Sequence, residues 1–137
     1  VGYCVQCEGI TFTLVTDCGH VTEEICAFVA KANYLVIEAN HEVEKLMAGP
    51  YPLYLKERIT SQIGHLSNAE CARTIVENAT ENLKHVWLCH LSDENNHPEL
   101  ARIAVTSLME SYGLRAGVDF IVEVLRRKIP SEIYDLK

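Results

Sequence analysis

The sequence predicts an α/β protein in which helices pack on a mixed sheet. Three observations carry this. Two short, nearly continuous apolar runs, YLVIEA at 34–39 and KHVWLCH at 84–90, read as buried strands. Stretches with helical caps and helical periodicity lie between and after them. A β-branched, aromatic pair of segments opens the chain. Strands alternating with helices give the layered architecture of helices on a sheet.

The elements follow in order. Residues 3–7 and 10–16 read as strands joined at Glu8-Gly9 in a hairpin. Thr22 caps a helix over 22–32, with Glu23 and Glu24 at the positive end of its dipole. After the buried strand 34–39, expected to be covered on both faces, a short helix over 42–48 stops at Gly49-Pro50. Pro52 opens another helix, PLYLKERITSQ. Ser67 and Glu70 have capping-box spacing and predict a helix over 68–79, which leaves His65 in the loop before it. The strand 84–90 ends on His90. Pro98 opens a helix to Tyr112, closed by Gly113, and DFIVEVLRR is a last strand.

With 137 residues the chain fits one domain with a real core. Hydrophobic residues at 48% and charged residues at 23% are ordinary for a soluble protein, and no apolar run is long enough to span a membrane. The net charge of −7 argues against a non-specific nucleic-acid coat. It leaves open an enzyme that grips a phosphodiester through bound cations, which invert the local sign. Six cysteines at irregular spacing do not form a disulfide framework, so a reducing cytoplasm is the expected compartment. Most of them are expected to pack as small hydrophobes, the Cys4-x-x-Cys7 pair included. The chain starts at Val1, without an initiator methionine or a signal peptide, and runs directly into strand-like sequence. The expectation is a piece of a longer protein.

Polar groups end three of the strands. Asp17 and His20 follow the second, Glu38, Asn40 and His41 end the third, and His90 and Ser92 end the fourth. In open α/β sheets, sites form outside the carboxyl ends of strands. If these strands are parallel neighbours, the groups converge, with His65 as a fourth contributor. Asp and His together suit zinc, manganese or iron. Each has a blander reading. Asp17 can be a turn residue, His90 a satisfied strand terminus, His65 a spacer before the capping box, and Glu38 half of a buried ion pair. His20, His41, His85 and His97 read as surface or supporting groups.

The segments TDCGHVTEEI, YLVIEANHEVEKLMAGPYPLYLKERI, GHLSNAECA and HLSDENNHPELA resemble, in order, the metallo-β-lactamase-fold hydrolases, and among them the YycJ-type (WalJ) exonuclease-like branch. The resemblance runs from about residue 12 to 105. It implies that Asp17 bridges two divalent metal ions, zinc or manganese, that His90 is a further ligand, and that His65 is a non-ligand histidine beside the scissile phosphate. The substrate it implies is nucleic acid. The family's H-x-H-x-D-H motif and one further histidine ligand are absent from the chain. The resemblance therefore implies the C-terminal half of an αββα sandwich, with helices on one face of its sheet. Lacking the N-terminal half, it would be inactive, hold metal poorly and expose an apolar face fit for self-association. Two other readings stand beside this one: hydrolysis of another ester or amide bond on the same fold, and a non-catalytic self-associating module.

Overall fold

The computed structural model describes residues 1–61 and 64–136. Its strands are β1 (Gly2–Cys7), β2 (Ile10–Val15), β3 (Tyr34–Glu38), β4 (His85–Cys89) and β5 (Ile121–Val124). Its helices are α1 (Glu23–Lys31), α2 (Val43–Ala48), α3 (Leu53–Thr60), α4 (Asn68–Asn78) and α5 (Pro98–Ser111). The strands form one sheet in the order β1-β2-β3-β4-β5. β1 is antiparallel to β2, and every other pairing is parallel. The sheet is thus mixed, and β2, β3 and β4 are parallel neighbours.

The hairpin turns at Glu8 and Gly9, with φ of 50° and 80°. Positive φ at both central residues is the turn whose twist matches the strands it joins. α1 starts where predicted: the Thr22 hydroxyl accepts from the Ile25 amide at 3.2 Å. α4 is capped by the predicted pair, with the Glu70 carboxylate taking the Ser67 hydroxyl. The Ser67 hydroxyl accepts from the Glu70 amide and donates to the Glu70 carboxylate, each at 3.1 Å. Pro98 is the first residue of α5, but the cap is His97, whose Nδ1 accepts from the Glu99 amide at 3.1 Å. The helix opened by Pro52 ends at Thr60, and the Gln62 predicted to extend it lies outside the described residues.

Alternation along the strands sorts the core. Leu35 and Ile37 of β3 and Val86 and Leu88 of β4 point to one face, where Val29 of α1, Cys71, Ala72 and Ile75 of α4, and Ala101, Val105 and Met109 of α5 cover them. Each fully buried aliphatic side chain there contributes about 2 kcal/mol of transfer free energy. The opposite face is different. Tyr34 and Trp87 are buried there, with His85 stacked on Trp87 at 4.0 Å and Tyr134 of the C-terminal segment packed edge-on against both rings. Phe12, Leu14 and Val36 are only half-buried, and Tyr3, Val5 and Ile121 are exposed. β3 is therefore covered completely on its helix side and incompletely on the other, where full cover was expected. The last strand is shorter than predicted, ending at Val124.

The cysteines correct a second expectation. All six are free, but only Cys71 is buried, and Cys7 is exposed. Apolar sequence around Cys4 and Cys7 belongs to an edge strand, most of whose residues are exposed.

Candidate metal centre

Three neighbouring parallel strands deliver polar side chains to one edge of the sheet. Glu38 is the last residue of β3, His90 follows β4 directly, and Asp17 lies two residues past β2. His65 reaches the same point from the segment before α4. Asp17, Glu38, His65 and His90 each offer a ligand atom, and these atoms all lie within 4.8 Å of one another.

Glu38 is the hub. It is fully buried, and its Oε1 accepts from the Leu66 amide at 3.1 Å. Its Oε2 lies 2.9 Å from Nδ1 of His65 and also meets Nδ1 of His90. A carboxylate only accepts, so an imidazole nitrogen that bonds to it carries the proton and leaves the other ring nitrogen to accept or to bind a metal. The same Nδ1 atoms lie 3.6 Å from Asp17 Oδ1. The outer groups are more open: side-chain exposure is 54% for Asp17, 47% for His90 and 30% for His65. Glu38 thus stands behind three groups that line a cavity of about 740 Å³.

Backbone strain marks the same place. Asp17 and His90 have φ of 54° and 58°, the left-handed region that side chains other than glycine seldom occupy. Such residues persist where surrounding structure over-determines them, and they cluster at functional sites.

That surrounding structure is a polar lattice built from the loops at the strand ends. The Asn40 amide group donates to the His90 carbonyl at 2.9 Å, and the Ser92 N–H donates to the Asn40 carbonyl at 2.8 Å. Asn68 and Asn96, both buried, exchange side-chain hydrogen bonds at 2.8 and 2.9 Å, and Asn96 also donates to the Ala39 carbonyl at 2.8 Å. The His65 N–H donates to the Ile59 carbonyl at 2.9 Å. This close approach needs Gly64: a Cβ there would lie 2.2 Å from the Ile59 oxygen and 2.4 Å from that of Arg58. Burial, with the nearby His65 adding to it and Glu38 opposing, pushes the His41 pKa down to about 4. His41 is 1% exposed and rests on the Asn40 side chain at 3.3 Å.

The structure brings together Asp17, His65 and His90 as the sequence suggested. Glu38, one of the strand-end groups expected to converge and read otherwise as half of a buried ion pair, is the group that joins the two histidines. Nothing in the sequence gives the distance from residue 38 to 65 or 90. The other histidines lie elsewhere. His41 is buried against the Asn40 side chain, His85 stacks on the far face of the sheet, His97 caps α5, and His20 is exposed outside the cluster.

No protein-family model matches the chain. Curated proteins do. The chain is 38% identical over 120 residues to exodeoxyribonuclease YycJ of Bacillus anthracis, a match covering 88% of the chain. It is 41% identical over 112 residues to exodeoxyribonuclease WalJ from two strains of Streptococcus pneumoniae, covering 82% of the chain. The chain belongs to the YycJ/WalJ family. It spans less than half the length of these relatives, 46% of the first and 42% of the others. Among the described residues no helix is long and apolar enough to cross a membrane.

Proposed function

We propose that this chain is the C-terminal half of a metallo-β-lactamase-fold phosphodiesterase, acting on DNA through two divalent ions in the cytoplasm. The convergence of Asp17, Glu38, His65 and His90 within 4.8 Å carries the reading. The donor set fits such ions. A carboxylate and an imidazole nitrogen are hard and borderline donors suited to zinc or manganese. A carboxylate behind a histidine, fixing its tautomer, is the usual support for a ligating imidazole.

In this reading Asp17 and His90 are the ligands the chain contributes, and Glu38 orients His90. His65, its Nδ1 committed to Glu38, would act through its other nitrogen, donating a proton to the leaving oxygen from the doubly protonated ring or stabilising charge on the phosphate. Bound ions would supply a hydroxide nucleophile at neutral pH and positive charge against the phosphate oxygens. Two outer ligands do not complete a dinuclear site, so the isolated chain is inactive. The incompletely covered sheet face, with Tyr3, Val5 and Ile121 exposed, supports a second half packing there. The relatives' length, more than twice that of the matched segment, supports it too. The same face favours self-association when the chain stands alone, which light scattering would register as dimers.

The test is cleavage of a DNA oligonucleotide by the full-length protein with manganese or zinc. Asp17→Ala and His90→Ala should each abolish it. Undiminished cleavage by both variants rejects the assignment. If the wild type cleaves ester or amide substrates and not DNA, the bond class is wrong and the fold reading stands.

A further inference from the structure

The cavity at the candidate metal centre does not end there. On one side it shares Asp17, Leu55, Ile59 and His65 with a smaller cavity of about 310 Å³, to which Arg58 contributes. On the other side it shares Leu91, Ser92, Leu125, Arg126 and Arg127 with a third of about 290 Å³, to which Lys128 contributes. Through these shared walls the three are neighbours around the metal centre, and we take them together as one groove. Four basic side chains line it, Arg58, Arg126, Arg127 and Lys128, against two carboxylates, Asp17 and Asp93. In a chain of net charge −7 this local excess of positive charge runs against the whole.

We infer that Arg126 and Arg127, with Lys128 beyond them and Arg58 on the opposite side of the centre, form a phosphate track for a single nucleic-acid strand. The inference rests on the phosphodiesterase reading of the site. Arg126 is exposed and pairs with no carboxylate among the described residues. Arg127 holds Asp93 at 3.4 Å, with both side chains about 60% exposed, an arrangement weak enough for a phosphate to displace. Arginine suits this task because its planar fork binds two phosphate oxygens at once. Half-buried Tyr51, Leu55 and Ile59 line the main cavity. An aromatic face beside a cationic track receives unstacked bases, which a single strand offers and a duplex hides.

The test is binding of a fluorescein-labelled 20-mer oligothymidylate to the full-length protein in EDTA, by anisotropy across a salt series. Arg126→Gln/Arg127→Gln should weaken binding about 10-fold and lower the slope of log K against log salt by about 1.4, the loss of two phosphate contacts. Arg126→Lys/Arg127→Lys, which keeps the charges, should restore most of both. Unchanged affinity and slope in the glutamine pair overturns the inference. So does a salt slope that the lysine pair, with its charges kept, fails to restore, or equal affinity for a 20-base-pair duplex. Cleavage by Asp17→Ala in manganese is scored separately. Retained cleavage there rejects the metal centre, while the binding series alone decides the track.

Discussion

Nδ1 of His65 lies 2.9 Å from Oε2 of Glu38, a carboxylate with no exposure to solvent. The same oxygen meets His90, and the other carboxylate oxygen takes the Leu66 amide. One buried side chain therefore fixes two histidines and the backbone that carries one of them.

Glu38→Gln tests this directly. A carboxamide has one accepting oxygen and one donating NH₂, so a donor must face either the Leu66 N–H or the two imidazoles. Leaving a buried donor unsatisfied costs about 1–3 kcal/mol, and a lost carboxylate support lowers metal affinity about 10- to 100-fold. Urea unfolding and metal titration of the full-length protein should show both. Wild-type values in both would remove Glu38 from the account.

Asp17 should separate stability from function. Its φ of 54° strains any residue with a Cβ, and its carboxylate is half exposed. Asp17→Gly relieves the backbone, so stability should hold or rise by up to about 1 kcal/mol while metal binding is lost. A clear fall in the urea midpoint would mean that the carboxylate is structural.

Gly64→Ala should do the reverse of a silent change. The added carbon meets two carbonyl oxygens of backbone, which no rotamer change avoids. The loop carrying His65 must shift, at a cost of about 1–3 kcal/mol. Differential unfolding of the variant measures it, and an unchanged midpoint contradicts the close approach.

How far the sequence revealed all this varies with the kind of information. Thr22, Ser67 and Pro98 marked three helix starts because capping is a local matter of one side chain and the next few amides. The runs at 34–39 and 84–90 marked two strands because both neighbours and one full face are buried. Edge strand β1 misled about its cysteines, since apolar composition does not say which element has a neighbour. Glu38 was visible as a strand terminus, but its partners lie 27 and 52 residues away, and only the parallel order of β2, β3 and β4 brings them together. The Asn68–Asn96 pair was hidden for the same reason, in segments that read simply as a helix start and a loop.

His41 sets the acid response. Its folded pKa of about 4 lies below the ordinary 6.5, so between these values the unfolded chain binds the proton and the native state does not. Stability should therefore fall as pH drops from 6.5 toward 4 and level off below, by on the order of 3 kcal/mol from this group. Unfolding free energies of wild type and His41→Gln should converge by that amount over the window. Parallel curves would mean that His41 protonates in the native state as it does in the unfolded chain.

The central claim is that this chain holds one part of a metal site whose remainder lies in the rest of the protein. Metal content after equilibrium dialysis against zinc or manganese, by inductively coupled plasma mass spectrometry, tests it most directly. The account predicts two ions per full-length molecule, fewer in His90→Ala, and only weak, substoichiometric binding by residues 1–137 alone. Two tightly bound ions on the isolated chain, or an undiminished content in His90→Ala, would contradict it.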